Sequence, residues 1–159
     1  MERRKFLNMT LGALALAVVP ASIRAEDYRK SKPLVWKAKT LDDAIKAFYG
    51  TNVLIEKGVK LKAAGQSFDS GKKAIASSGA AVPVDFSTKI PAKTISVYQD
   101  TTPESAICAY TVTKYSINDY SIKIKMAKSG TIVVVVEGLD GKLYAAKQTL
   151  DVALGGCEG

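Results

Sequence analysis

The sequence predicts an all-β fold: an immunoglobulin-like antiparallel β-sandwich with a short N-terminal helix and a flexible C-terminal tail. Three observations lead there. Apolar residues alternate with a period of two over most of the chain after residue 58. These segments recur at roughly ten-residue spacing, and an Asp-Gly turn separates the last two. Hydrophobic residues make up 47% and charged residues 24%, which is enough apolar material for one globular domain.

The first 25 residues predict an export signal. Arg3 and Arg4 are adjacent and are followed by Phe-Leu, the pattern of a twin-arginine signal. The apolar run at residues 11–19 is short for a bilayer-spanning helix, so a cleaved signal is favoured over an uncut membrane anchor. We therefore expect a signal at residues 1–25, a domain at 26–154 and an arm at 155–159, with the mature protein periplasmic and free of the membrane. Because this route exports folded proteins, a partner bound before export is expected.

One helix is predicted near the start of the domain. Thr40 is suited to cap it, and Gly50 is suited to end it. Its apolar face has helical spacing and consists of Leu41, Ala44, Ile45 and Phe48. Residues 26–39 are polar and basic, and they predict an extended lead-in to this helix.

Strands are predicted from residue 59 onward. The candidates are residues 59–62, 81–86, 95–98, 106–113, 120–126, 132–136 and 143–152. Pro83 predicts that the second of these lies at a sheet edge or carries a bulge, because proline lacks a backbone N–H. The β-branched run at 132–136 predicts a strand buried on both faces. Residues 63–79 are rich in Gly and Ser and predict a loop, while Asp140-Gly141 predicts a hairpin turn.

Composition excludes several classes of function. The chain contains no histidine, so no Ser-His-Asp or Cys-His pair, no His-ligated zinc and no haem-attachment motif can form. No cofactor or metal site is expected, and no catalytic residues are predicted. The lysines are scattered rather than interleaved with aromatic residues, which argues against nucleic-acid binding.

The C-terminal tail carries the most specific signal. Gly155 and Gly156 precede Cys157, and the last predicted strand ends near Val152 or Leu154. Glycine leaves the backbone unrestricted, so the thiol is expected on a slim, flexible arm that can enter a narrow pocket of another protein. Because the thiolate is the nucleophile of cysteine, this arrangement suits a covalent carrier whose cargo is processed by other chains.

Other interpretations of the two cysteines stay open. Cys157 could pair with Cys108 in a structural disulfide, or it could link two copies of the chain as a dimer. In either case the protein would be an exported β-sandwich interaction module. A thiol oxidoreductase is a third hypothesis, and it needs Cys108 close to Cys157 as a resolving cysteine. The strand pattern predicts instead that Cys108 is a small packed side chain. For a partner surface, the candidates are the helix face and the strand at residues 106–113.

At these residues the chain resembles the SoxY family, the sulfur-carrier subunits of the periplasmic thiosulfate-oxidising Sox system. The resemblance covers most of the mature chain, and the twin-arginine leader fits it as well. Its most specific element is Gly155-Gly156-Cys157; the family has a further glycine where this chain has Glu158. The other matching segments are residues 43–48, 81–84, 123–129 and 140–147.

The resemblance implies a function and a set of partners. Cys157 would be the covalent attachment site for sulfur anions such as thiosulfate, with Gly155 and Gly156 forming the swinging arm. The body would be an immunoglobulin-like sandwich in a heterodimer with a SoxZ-like subunit that lacks its own signal. A c-type cytochrome, a sulfate-releasing hydrolase and a sulfur dehydrogenase would then act on the cargo, and the carrier itself would catalyse nothing.

Overall fold

The computed structural model describes residues 26–67 and 74–153. The predicted export signal with Arg3 and Arg4, and the predicted arm with Gly155, Gly156 and Cys157, lie outside the described residues. In the described part there is no helix long and apolar enough to span a membrane.

Two α-helices, a 3₁₀ turn and nine strands make up the described chain. The helical elements are α1 (Tyr28–Ser31), the 3₁₀ turn (Val35–Lys37) and α2 (Leu41–Tyr49). The first five strands are β1 (Val59–Ala63), β2 (Gln66–Ser67), β3 (Ala74–Ala76), β4 (Val82–Thr88) and β5 (Ala92–Gln99). The last four are β6 (Ala106–Thr111), β7 (Asp119–Ile124), β8 (Gly130–Gly138) and β9 (Leu143–Val152).

The strands form two sheets, which confirms the predicted sandwich. One has the order β2-β1-β4-β7, and the other has the order β3-β9-β8-β5-β6. The main core lies between them, and a second apolar cluster lies where α2 packs against the outer face of the five-stranded sheet. Because β5 and β8 have core on both sides, they are buried along nearly their whole length, as the β-branched run of β8 predicted.

Helix α2 begins and ends where the sequence predicts. The Thr40 side chain accepts a hydrogen bond from the Asp43 N–H at 3.1 Å, and Gly50 adopts a left-handed conformation with φ of 79°. The predicted apolar face is real, and Ala44, Ile45 and Phe48 are buried against the sheet. The suggestion that this face binds a partner is therefore wrong, because the protein's own sheet already covers it.

Two local predictions need correction. Residues 26–39 are not extended: α1 and the 3₁₀ turn form there, tied together by a hydrogen bond from Trp36 Nε1 to the Tyr28 carbonyl at 2.9 Å. Residues 63–79 are not all loop, since they contain the short strands β2 and β3. Strand β3 runs parallel to β9, whereas the other pairs of named strands in the described residues are antiparallel.

The placement of Pro83 also differs from the prediction. Strand β4 is internal, paired with β1 on one side and β7 on the other in continuous register. Pro83 is the second residue of the strand, and its carbonyl accepts a hydrogen bond from Ala64 just past the end of β1. The backbone N and O of a strand residue point to the same side of the strand, so the nitrogen of Pro83 also faces β1. Because β1 ends at Ala63, the missing N–H of Pro83 removes no hydrogen bond between the two strands.

Candidate functional site

Strand β9 leads to the predicted arm. It lies between β8 and β3, and its inward-facing Leu150 is fully buried. The side-chain oxygen of Gln148, also buried, accepts a hydrogen bond from the Ala63 N–H of the opposite sheet at 3.1 Å. Strand β9 is thus paired with β8 as far as Leu150 and with β3 at its last three residues, and Gln148 bonds it to the opposite sheet.

The last described residues are held by contacts from two sides. Pairing of β9 with β8 stops at the register pair Gly130–Leu150. Beyond it, the Val152 N–H donates to the hydroxyl of Ser129 at 2.9 Å, so a side chain takes over from the backbone ladder. On the other side, the Ala153 N–H donates to the carbonyl of Ala76 in β3, also at 2.9 Å. We call Ala76, Gly79, Ser129 and Val152 the arm seat.

Gly79 has no room for a side chain. A Cβ at this position would lie 2.1 Å from the carbonyl oxygen of Met126 and 3.1 Å from Cγ1 of Val152. The two backbones are this close because the Met126 N–H donates to the Gly79 carbonyl at 2.8 Å. The Val152 side chain therefore packs directly against the backbone of Gly79, and this position requires a residue without a Cβ.

The described chain stops four residues before Cys157. At about 3.3 Å per residue, four residues span at most about 13 Å from Ala153. The predicted arm would therefore begin beside the arm seat.

Cys108 lies far from the arm seat. It is in β6, an edge strand of the five-stranded sheet, and is in register with Val97 of β5, which is paired in turn with Val134 of β8 and through it with Ala146 of β9. Three strand spacings across the sheet and six residues along β9 separate Cys108 from Val152 by about 20–25 Å.

The chemistry of Cys108 is that of a packed side chain. It is partly buried against the core between the sheets and is not in a disulfide. Burial raises the pKa of its thiol above the usual value, and a hydrogen bond involving Tyr110 offsets part of that effect. These properties disfavour the thiolate and agree with the prediction of a structural role.

The structure brings together a different set of residues from the one that sequence reasoning selected. Cys108 is the one predicted cysteine that lies within the described residues, and it is distant from the arm seat. The sequence analysis missed Ser129 and Gly79, whose roles come from contacts between segments far apart in the chain. Across residues 26–67 and 74–153, no three acidic or cysteine side chains come together in a way that could hold a metal ion.

Comparison with known proteins relates the chain to one family. The family model described as "Sulfur oxidation protein SoxY" matches residues 45–157. The solved structure of the sulfur carrier protein SoxY from Chlorobium limicola f thiosulfatophilum is 33% identical, with a TM-score of 0.59. That match covers 72% of this chain and 96% of the relative.

More distant structural matches include the superoxide reductase (neelaredoxin) from Ignicoccus hospitalis. It is 14% identical with a TM-score of 0.48, covering 61% of this chain and 81% of that one. A variant of the same reductase has the same identity and TM-score, and the match covers 73% of this chain and 90% of the variant. At this level no functional argument follows. A comparison with curated proteins gave no match.

Proposed function

Because this chain belongs to the SoxY family of sulfur oxidation proteins, we propose that it carries sulfur intermediates covalently on Cys157. Family membership supports the sulfur-carrier role in the Sox system, and the attachment site is our own extension of it. The observation that carries the proposal is the span of the family match, whose final residue is Cys157. Gly155 and Gly156 serve as the swinging arm, starting from the arm seat.

The proposed chemistry needs only a thiolate from this chain. The Cys157 thiolate and thiosulfate join through a new S–S bond, and the two electrons released pass to a c-type cytochrome. A hydrolase then adds water, breaks the bond to the sulfonate sulfur, and releases sulfate and two protons. A persulfide anion is left on Cys157, and a sulfur dehydrogenase oxidises its outer sulfur or the sulfur is transferred onward. In this cycle the carrier presents the cargo, and the partner enzymes catalyse each step.

The surrounding assembly follows from the same proposal. Arg3 and Arg4 belong to a twin-arginine signal, and the mature protein works in the periplasm. A SoxZ-like subunit binds the folded domain before export and forms a heterodimer with it. Strand β6 remains our candidate for a partner surface, since it lies at the edge of the five-stranded sheet.

The competing hypothesis is an interaction module in which Cys157 forms a structural disulfide. The separation of Cys108 from the arm seat argues against an internal bridge. Five residues from Val152 to Cys157 span about 17 Å when fully extended. The Cα atoms of a disulfide lie roughly 6 Å apart, so a bridge to Cys108 at the 20–25 Å that the strand spacings give would require all five residues to be almost fully extended. Cys108 would also have to turn away from the core against which it packs.

Intact-mass analysis of two matched variants tests the proposal. The protein, co-purified with its SoxZ-like subunit, is incubated with thiosulfate and the c-type cytochrome. We expect a gain of one S₂O₃ unit in the parent protein and in Cys108→Ala, and no gain in Cys157→Ala. An adduct on Cys157→Ala, or no adduct on a parent protein whose Cys157 thiol is reduced, would overturn the proposal. A parent protein isolated with no titratable thiol would favour the disulfide module.

A further inference from the structure

We propose that the free edge of strand β7 (Asp119–Ile124) is a self-association surface, to which a second copy of this chain adds its own β7 in the antiparallel direction. Two features of the strand support this dimer: the backbone groups that it leaves unpaired, and the order of charges along it. Neither feature depends on the carrier function proposed above.

Strand β7 is paired on one side. It is the last strand in the order β2-β1-β4-β7, and among the residues that the structure describes no strand lies beyond it. The Thr88 N–H donates to the Asn118 carbonyl at 3.0 Å, one step past the register pair of Ser87 and Asp119. Because hydrogen-bonded pairs alternate along an antiparallel ladder, every second residue from Asn118 onward bonds to β4. The residues between them direct their N–H and C=O groups toward the free edge: Asp119, Ser121 and Lys123.

The side chains of the same three residues make the strand self-complementary. They are exposed on the face of the sheet that points away from the core, with Asp119 and Lys123 two residues to either side of Ser121. When two copies are related by a two-fold axis through Ser121, Asp119 of each copy lies opposite Lys123 of the other. Opposite charges in directly facing positions stabilise an antiparallel pair, whereas like charges destabilise it.

The same register also satisfies the free backbone groups. Ser121 faces its own copy and Asp119 faces Lys123, and each facing pair exchanges two hydrogen bonds. The pairing ends there, because the Lys125 carbonyl already accepts a hydrogen bond from Gln99 Nε2 at 3.1 Å.

The core-facing side of β7 fits this pairing as well. Tyr120 of each copy lies opposite Ile122 of the other, and both side chains are only partly buried in the single chain. An aromatic ring opposite a β-branched side chain is a favourable cross-strand pair. The second copy would therefore cover apolar surface that the sandwich leaves open at this edge.

Charges on an edge strand can instead prevent association, and the order of the charges distinguishes the two cases. Edge strands that avoid pairing carry charges, lysine above all, that repel an approaching strand. In β7 the two charges have opposite signs and are placed symmetrically, so a second copy in this register meets attraction. Strand β6 (Ala106–Thr111), the edge of the other sheet on the same side, carries no charged residue and offers no such selection of register.

Four variants test the charge pattern. Asp119→Lys places two lysines opposite each other at each end of the pair, and Lys123→Asp places two carboxylates there. The double variant with both changes restores opposite charges. Lys60→Asp is the matched control for Lys123→Asp, because Lys60 is exposed on the same face of the sheet but lies in the internal strand β1.

Sedimentation velocity measures the self-association. Reducing agent is present throughout, so that a disulfide between two Cys157 thiols does not contribute. One strand pair is a small interface, so we expect the parent dimer to form at protein concentrations of about 0.1–1 mM. Each single charge change should weaken self-association at least about fivefold, and the double variant should return to within about twofold of the parent. Lys60→Asp should change it less than about twofold.

Amide hydrogen exchange locates the interface. At high protein concentration we expect exchange to slow at the amides that face the free edge, those of Asp119, Ser121 and Lys123. Ser121→Pro should abolish this concentration dependence, because proline lacks the N–H at the centre of the pair. The Ser121 N–H does not bond to β4, so this variant is expected to fold.

Three results would overturn the inference: a parent protein that stays monomeric up to about 1 mM, single charge variants that associate as the parent does, or a double variant that shows no recovery. If the single charge changes weaken binding of the SoxZ-like subunit while the parent alone stays monomeric, the edge belongs to that subunit and self-association is wrong. Thiosulfate attachment to Cys157 is measured separately by intact mass, so failure of the dimer and failure of the carrier function are distinguishable.

Discussion

The rings of Tyr110 and Tyr120 stack across the two sheets with centroids 4.7 Å apart and an interplanar angle of 26°. Tyr110 lies in the edge strand β6, and Tyr120 lies in β7, the edge strand of the other sheet. Phe86 also stacks on Tyr120, with centroids 5.3 Å apart. These three rings cover the side of the sandwich where the edge strands β6 and β7 face each other.

We expect Tyr120→Ala to lower the free energy of unfolding by about 2 kcal/mol, because it removes two ring contacts and exposes part of the core. Tyr115→Ala is the control, since that ring is 80% exposed and its loss should cost less than about 0.5 kcal/mol. Urea unfolding of the two variants beside the parent gives both values. Equal costs would show that the aromatic stack does not close the sandwich.

Much of the fold could be predicted because its signals are local. The burial of β8 follows from consecutive β-branched residues, and both ends of α2 follow from Thr40 and Gly50. The location of β3 could not be predicted, since three residues are too few for a period of two. Its partner, the end of β9, is about 75 residues away along the chain. The edge position or bulge predicted from Pro83 was wrong for a similar reason. Whether a proline removes a hydrogen bond between strands depends on where the neighbouring strand ends.

The candidate site was predictable only in part. Gly-Gly-Cys is a contiguous pattern, so Cys157 could be selected from the sequence alone. The arm seat depends on a serine hydroxyl, a glycine and an alanine carbonyl from three separate segments. Only the folded structure shows that these three groups come together around residues 152 and 153.

Gly79→Ala is expected to destabilise the protein by about 2–3 kcal/mol, since its Cβ would lie 2.1 Å from the Met126 carbonyl oxygen and the backbone would have to move. Gly50→Ala is the matched control. Its Cβ would meet nothing within 4 Å, so the left-handed φ of 79° alone should cost about 1 kcal/mol. If chemical denaturation gives Gly79→Ala the smaller loss of the two, the close packing described for the arm seat is wrong.

Alkaline pH should destabilise the fold through Tyr49. Burial raises its pKa to about 12 from the ordinary 10.0, although hydrogen bonds to Ser96 and Thr94 partly offset this effect. The unfolded state therefore loses this proton at lower pH than the folded state does. Stability is intact below pH 10 and falls as pH rises toward 12, by up to roughly 3 kcal/mol for this one group.

The variant Tyr49→Phe isolates this contribution. At pH 7 it should cost about 1 kcal/mol, because Ser96 loses the hydroxyl that lies 2.7 Å from its Oγ. Between pH 10 and 12 its stability should fall less steeply than that of the parent. Some fall should remain, since burial also raises the pKa of Tyr110 to about 12. Equal slopes in the two proteins would contradict the assignment.

The two cysteines should differ sharply in reactivity toward a small alkylating reagent. Cys108 is partly buried in β6, and its pKa is raised by that burial, so at any given pH it has less thiolate than an exposed cysteine. Its partial burial also restricts the approach of a reagent to the sulfur. We therefore expect iodoacetamide at pH 8 to label Cys157 at least about tenfold faster than Cys108.

Peptide mass spectrometry of a labelling time course measures both rates in one sample. In urea the two rates should converge, because unfolding removes the protection of Cys108 and returns its pKa to the ordinary range. In folded protein, raising the pH should continue to accelerate labelling of Cys108 beyond the pH at which labelling of a free cysteine levels off, because the pKa of Cys108 is raised. If Cys108 were labelled as fast as Cys157 in the folded protein, it would be a second accessible thiol, and assigning the cargo to Cys157 alone would no longer follow.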